Sequence, residues 1–556
     1  MKEYKLHIVF GLILISAGLF VSSADLVNIL RRLPAGIPQE LLLGAKLFKI
    51  GLVIIGASVL MFGKSAIWKS EILKDKNADE PNGKLVFPFL TIILFTALTI
   101  RIYGLNEGLW LDEILTLENY VKAPFGEIVT NYDSQNQHFL YSIFAHTSFL
   151  LFGESIWALR LPAVLFGVGS ICALYFMGRQ IATPLEAFLS SILLVFSYHH
   201  IWFSQNARGY IGLLFFTLIT SWLFVLGLSK DRPKLWLVYA VVAALGAYTH
   251  ISMILIIIGH FIIYVFSFIA RRNELWRTKW IPFMGFCFAA LLTFQLYSLV
   301  LPQMFGETIG EGRIVTVWKN PIWTLFEIVR GTKIGFKGIV PLIFAAGILS
   351  LGIWNFKRKN PVVIGLFFIP IMIVATVAIA MGRHLWPRLF FFSIGFGVLI
   401  IARGSMELGR LVTRLLKIET KRSMMPGTIV FALIILAFAI SARKAYGPKQ
   451  DYLSALRFVE SNKKLDDIVL TIGSTAFVYE RYYGLDWIEV GDLENFNSIR
   501  ANRNATWIVY TFPVYLEAEY PNIMDIVRDD FKVVKQFYGT LNGGAIFVCR
   551  SEVSSS

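Results

Sequence analysis

Trp110-Leu111-Asp112-Glu113 places two adjacent carboxylates shortly after an apolar run, Leu85 to Ile102. A charge near hydrocarbon is costly, so acids at the mouth of a membrane-length helix call for a reason beyond solvation. The Trp at the same point is an ordinary headgroup-level anchor. Alone, an Asp-Glu pair reads most simply as the start of a solvated loop, and its weight comes from residues further down the chain. Arg160, Arg208, Arg383 and Arg388 stand at the ends of later apolar runs, with Asn136, His138, Gln205, Tyr210, His250 and His384 near them. A carboxylate can take a proton from a hydroxyl. Guanidinium groups bind phosphate bidentately and keep their charge. Together these groups suit transfer from a lipid-linked phosphate. Singly they have plainer readings: Arg160 could snorkel to the interface, His250 could be a satisfied residue at a helix turn, and Arg383, His384 and Arg388 could form an ordinary charged loop.

These residues share a site only if the intervening elements gather them on one face. Of the 556 residues, 56% are hydrophobic, and mean hydropathy is +0.63, which marks an integral membrane protein. Cys172, Cys287 and Cys549 lie far apart, which argues against a disulfide framework and against zinc or iron–sulfur ligation. The net charge of +15 sits mainly in short loops between apolar runs. That is the positive-inside pattern, so nucleic acid is excluded as a partner.

Counting runs with the basic loops inside predicts a polytopic α-helical membrane protein with about thirteen transmembrane helices. Residues 1–84 hold two spans, Ile8 to Val21 and Leu41 to Phe62, and a basic linker, Lys64 to Lys84. Residues 85–446 form a core running from Leu85 to Ala442. Phe139 to Leu151 is too short to cross comfortably and is expected along the interface. The basic loops Ser229 to Lys234, Arg271 to Lys279, Lys357 to Lys359 and Arg403 to Arg422 then fall in the cytoplasm. The acids, the arginines and a C-terminal extracytoplasmic α/β domain, residues 447–556, fall outside an inner membrane. In that domain strands are expected at Asp467 to Ile472, Thr506 to Thr511 and Ala545 to Cys549. Helices are expected at Tyr452 to Ser461, Ala476 to Tyr483 and Asn522 to Asp529. Asn504-Ala505-Thr506 fits a glycosylation sequon.

From Leu85 to Ala402 the chain resembles the GT-C glycosyltransferases, of the protein O-mannosyltransferase and lipid A aminoarabinose transferase kind. The resemblance is carried by Trp110-Leu111-Asp112-Glu113, Asn136-Gln137-His138-Phe139-Leu140-Tyr141, Ala158-Leu159-Arg160-Leu161-Pro162-Ala163, Ser204-Gln205-Asn206-Ala207-Arg208-Gly209-Tyr210 and Tyr248-Thr249-His250, in order. It departs from the pattern at His138-Phe139, where many members have Pro-Pro. It departs again at Gln135-Asn136-Gln137, where lipid A transferases carry Glu-Lys. The resemblance implies a GT-C fold, a polyprenyl-phosphate sugar donor, an acceptor glycan, lipid or protein, and inversion at the anomeric carbon. It assigns Asp112 the part of base and Arg160 a place near the donor phosphate.

On this reading Asp112 and Glu113 are catalytic, and Arg160, Arg208, Arg383 and Arg388 bind donor phosphate. Asn136, His138, Gln205, Tyr210, His250 and His384 line the substrate site, and membrane lipid is a further partner of the chain. No cofactor is expected and no DxD motif stands in the core, with an ion at Asp112 and Glu113 left open. The rivals are a flippase for lipid-linked sugars and a non-catalytic envelope scaffold. A flippase should show charged or Pro/Gly-broken residues near the midplane of paired helices. Here the polar groups gather at one face.

Overall fold

The computed structural model describes residues 3–33, 36–62, 83–229, 232–270, 276–310, 315–332, 339–417, 424–500 and 505–552. Most of the linker Lys64 to Lys84, parts of the three most basic loops, and Asn504 of the sequon lie outside these residues.

Among the described residues, eight helices are long and apolar enough to cross a membrane, from Gln39–Phe62 to Met425–Ala445. Two bent pairs add to them: Leu6–Phe20 with Ser23–Leu30 at 102°, and Pro184–Val195 with Tyr198–Ser204 at 62°. The shorter apolar helices Phe87–Ile102, Pro233–Thr249 and Met253–Ile269 occupy the other expected spans. A fourth, Phe139–Phe152, is the stretch expected at the interface. Every stretch read as a span is helical; length and composition support eight full crossings, or ten with the bent pairs.

Of the eight membrane-length helices, Ile156–Ile181, Tyr210–Ser229 and Pro387–Leu415 are the most buried, and the N-terminal and late helices carry apolar side chains such as Ile54, Phe344 and Leu433 on their outside. Small residues let backbones meet where helices cross. A Cβ on Gly404 would sit 1.9 Å from the Ile348 carbonyl oxygen, and one on Gly352 would sit 2.0 Å from that of Ile400. Local chemistry sets the helix ends. Ser155 caps the Ile156–Ile181 helix, and Thr183 with Glu186 closes a capping box ahead of Pro184.

The break at Phe196-Ser197 frees carbonyls that lipid cannot satisfy. Arg101 supplies the donors: Nη2 bonds the Leu194 and Val195 carbonyls, each at 3.3 Å, and Nη1 bonds Ala97 O at 3.0 Å. Its Nε donates to Ser204 Oγ at 3.2 Å, and Nη2 lies 2.6 Å from His200 Nδ1. This buried arginine fixes the base of the Ser204-to-Tyr210 loop.

The C-terminal part carries a five-stranded mixed sheet. The strands are β1 (Ile468–Ile472), β2 (Ile488–Val490), β3 (Ala505–Thr511), β4 (Lys532–Phe537) and β5 (Ile546–Glu552). β1 pairs in parallel with β2 and β3, and β5 is antiparallel to β3 and β4. Leu470, Ile472, Val490, Ile508 and Cys549 form a small core under helix Pro521–Asp530 with Met524 and Val527.

Candidate active site

The site is built on helix Leu111–Thr116, which follows the Phe87–Ile102 span, and on the widened π-type turn Leu117–Val121. Asp112 projects from the first turn with its side chain 16% exposed, whereas that of Glu113 is fully buried. Alternate burial of neighbouring acids gives them different work.

Asp112 Oδ2 accepts from Arg388 Nη1 at 3.0 Å and lies 3.7 Å from Arg208 Nη2. Both contacts fall on Oδ2. Asn136 Nδ2 donates to the Asp112 carbonyl at 3.1 Å and to Thr116 Oγ1 at 3.3 Å, so it steadies the turn that carries the carboxylate. Both guanidiniums lie over the Tyr210 ring, Arg208 at 5.8 Å and Arg388 at 5.7 Å. Their Nε atoms are buried and lack a hydrogen-bond partner. Buried donors without partners are uncommon and call for an acceptor.

His138 and His250 stack at 4.8 Å behind Tyr210, and His138 Nε2 is likewise buried without a partner. Burial, reinforced by Arg208, holds His138 well below the usual imidazole range, and burial with the same guanidiniums takes His250 down to about 3. Both rings are therefore neutral at physiological pH. Gly209 permits this packing, because a Cβ there would sit 2.4 Å from the Thr249 carbonyl oxygen and 3.0 Å from the His138 ring. At the rim, the Gln135 carboxamide, oriented as an acceptor, takes a bond from Arg383 Nη2 at 3.1 Å. His384 packs edge-on to Trp318 at 5.2 Å, and partial burial with Lys319 nearby lowers its pKa.

Three expected site residues have other work. Glu113 Oε1 accepts from Arg160 Nε at 2.8 Å and from the Ala207 amide at 2.7 Å, while Oε2 accepts from Arg160 Nη2 at 2.6 Å. The remaining Arg160 donors go to the carbonyls of Leu105, Glu107 and Gly108. With its side chain 1% exposed and its donors spent, Arg160 is not placed to hold a donor phosphate, and Glu113 is not placed to take a proton. Gln205 donates to Arg101 O and Tyr103 O and is also a scaffold residue. Burial is the cause for the acid and its arginine: buried charges persist when matched and hydrogen-bonded. Burial opposes ionisation of Glu113, but Arg160, Lys449 and the Ala207 amide outweigh it and hold its pKa below the ordinary value.

Lys449 and Gln450 also reach this region, and no motif announced them. Lys449 Nζ donates to Gln205 O at 2.6 Å and lies 3.8 Å from Glu113 Oε2. Burial pushes it down to about 7 against the attraction of Glu113. Gln450 Oε1 accepts from the Leu111 amide at 3.1 Å. Among the described residues no cluster of His, Cys, Asp or Glu has the make-up to hold a metal ion.

Residues 137–297 match the sequence profile of the family described as dolichyl-phosphate-mannose-protein mannosyltransferase. The matched region spans His138, Arg160, Arg208, Tyr210 and His250 but ends before Arg388. No curated protein matches the chain. Among solved structures, the Archaeoglobus fulgidus oligosaccharyltransferase tethered with an acceptor peptide is similar at 12% identity and a TM-score of 0.50, covering 84% of this chain and 74% of that one. ArnT from Cupriavidus metallidurans bound to undecaprenyl phosphate aligns at 14% identity and a TM-score of 0.47, covering 85% and 98%. AglB from A. fulgidus, in complex with an inhibitory peptide and a dolichol-phosphate, aligns at 12% and 0.47, covering 83% and 74%. At these identities the likeness is one of fold, shared with the A. fulgidus oligosaccharyltransferase.

Proposed function

We propose that the chain is a glycosyltransferase that moves a sugar from a polyprenyl-phosphate donor to an acceptor hydroxyl at the extracytoplasmic face of the inner membrane. The observation that carries this reading is one carboxylate, Asp112, held against Arg388 and Arg208, whose buried Nε atoms have no partner. The family profile over residues 137–297, described by a dolichyl-phosphate-linked mannose reaction, supports the same chemistry.

The reaction is a single displacement. Asp112 Oδ1 takes the acceptor's hydroxyl proton as that oxygen forms its bond to the anomeric carbon. The bond from that carbon to the phosphate oxygen breaks, its electron pair leaves with the lipid phosphate, and the configuration inverts. Arg388 and Arg208 meet the charge that grows on the leaving phosphate. Neutral His138 and His250, with Tyr210, wall the sugar side; Arg383 and His384 form the rim. A flippase would not need a carboxylate aimed at the same space as the phosphate-binding donors.

The test is transfer by the purified full-length protein from synthetic polyprenyl-phosphate sugars, with the freed polyprenyl phosphate and the glycosylated product read by mass spectrometry. Cells lacking the gene should accumulate the lipid-linked donor and lose the corresponding glycan. A lipid-linked donor that moves across vesicles without being consumed would support the flippase instead.

A further inference from the structure

We propose that residues 448–450 form a strap through which the C-terminal sheet positions the Asp112 helix, with Gln450 and Lys449 as positioning residues for the transfer reaction. The inference rests on the glycosyl-transfer reading for its catalytic part and on geometry alone for its structural part.

The bonds bracket Asp112. On one side, the Leu111 amide donates to Gln450 Oε1. Trp110, at the cap position, gives no side-chain cap bond to this helix, and its indole Nε1 instead donates to Asn206 Oδ1 at 3.2 Å. The first amides of a helix have no intrahelical acceptor, so the one beside Asp112 is met by a residue 339 positions away. On the other side, Lys449 Nζ stands near Glu113 Oε2 and lies over the Trp202 ring at 5.3 Å.

The strap is fastened to the sheet. Gln450 Nε2 donates to Thr511 Oγ1 at 3.2 Å at the end of β3, and Thr511 Oγ1 donates to Ala545 O at 3.0 Å. The Thr540 and Leu541 amides bond the carbonyls of Pro448 and Lys449 at 2.9 and 3.0 Å. Trp202 Nε1 closes the circle on Thr540 Oγ1 at 2.9 Å. Gly539 lets the two segments meet, since a Cβ there would sit 2.1 Å from the Lys449 carbonyl oxygen. Ordinary domain packing would bury apolar surface at some distance from the reacting group. Here polar bonds land on the residues either side of it.

A base displaced by about 1 Å can cost on the order of 10²-fold in rate. Full-length Gln450→Leu should therefore lower kcat about ten-fold or more while leaving the donor KM within about two-fold. Gln450→Glu, held protonated by burial, keeps an acceptor oxygen toward the Leu111 amide and a hydroxyl donor toward Thr511 Oγ1, and should recover most of the rate. Amide exchange in the peptide spanning residues 109–118 should quicken in Gln450→Leu and stay near wild type in Gln450→Glu. Equal kcat in wild type and Gln450→Leu, or equal losses in the Leu and Glu variants, would overturn the proposal. Should Gln450→Leu fail to fold, Thr511→Val removes the anchor on the sheet side, and the same comparison of kcat and KM decides. If the wild-type protein transfers no sugar, the functional reading fails, and the exchange difference between the Leu and Glu variants still upholds or sinks the strap.

Discussion

Two neighbouring acids with the same look in the sequence do opposite things, and burial decides which. Asp112 is partly open and shares Oδ2 with two guanidiniums, whereas Glu113 is matched by Arg160 inside the protein. Spacing could not separate them, because i and i+1 on a helix point to different sides and nothing in the local sequence says which side is filled. Asn136, His138, Tyr210, His250 and the outer arginines were legible because each closes or opens an apolar run. Lys449 and Gln450 were not, because a Pro-Lys-Gln after a span looks like any linker. Losing a charge-assisted contact costs roughly 1.5–3 kcal/mol. Arg388→Ala should accordingly raise the donor KM or lower kcat ten-fold or more, with poor rescue by Arg388→Lys, since an ammonium lacks the planar fork. Steady-state kinetics on folded protein checks both. Arg160→Ala should act differently: breaking one side of a buried pair costs about 3–5 kcal/mol, and the loss should appear as missing folded protein. A normally stable Arg160→Ala enzyme with a raised donor KM would return Arg160 to the phosphate site. Because the Glu113 pKa is depressed, its contribution to stability is present above its unfolded value of about 4.3 and is lost as pH falls below that. Melting temperature in detergent should fall with acid in that window.

At the scale of elements, every run chosen by length and apolarity is helical, since hydrophobic periodicity is strongest where lipid demands it. The polar stretch after Leu301 contains helices Leu301–Gly310 and Pro321–Thr332, and its mixed composition shows neither in the sequence. In the sheet, β1, β3 and β5 were legible as β-rich apolar runs. β4, Lys532–Phe537, was not, because it is a largely exposed edge strand with lysines at both ends of Val533-Val534, which blurs alternation. The short β2 shows only Val490 to the core. Helix crossings were also silent in the sequence: nothing distinguishes Gly404, pressed on Ile348 O, from Gly347, which has open space around it. Overpacking a tight contact costs typically about 1–3 kcal/mol and sometimes more. Gly404→Val should lower the melting temperature in detergent clearly, while Gly347→Ala should leave it unchanged. Equal behaviour of the two would mean that this crossing is looser than its geometry.

The whole molecule joins a bundle of membrane-length helices to a sheet whose first residues reach back to the reacting end. We propose that all thirteen expected spans cross, with Asn106, on the loop before Asp112, on the same side as Lys464 in the sheet domain and Lys359 opposite. All three are exposed. In a cysteine-free background, an impermeant maleimide should label Asn106→Cys and Lys464→Cys from outside intact cells and spare Lys359→Cys. Ser204, in the loop that carries Arg208, is fully buried and would be a poor reporter. Opposite labelling of the first two sites would break the topology and with it an extracytoplasmic reaction. The proposed mechanism depends most on Asp112 as base, because its neighbours Arg388, Arg208 and Asn136 balance that carboxylate or steady the turn that carries it. Asp112→Asn preserves shape and hydrogen bonding and removes proton acceptance, and general-base contributions run to about 10²–10⁴-fold. The decisive measurement is sugar transfer from a purified polyprenyl-phosphate donor by Asp112→Asn, alongside donor binding by the same protein. Turnover should collapse by that factor with binding retained; near wild-type turnover would contradict the mechanism.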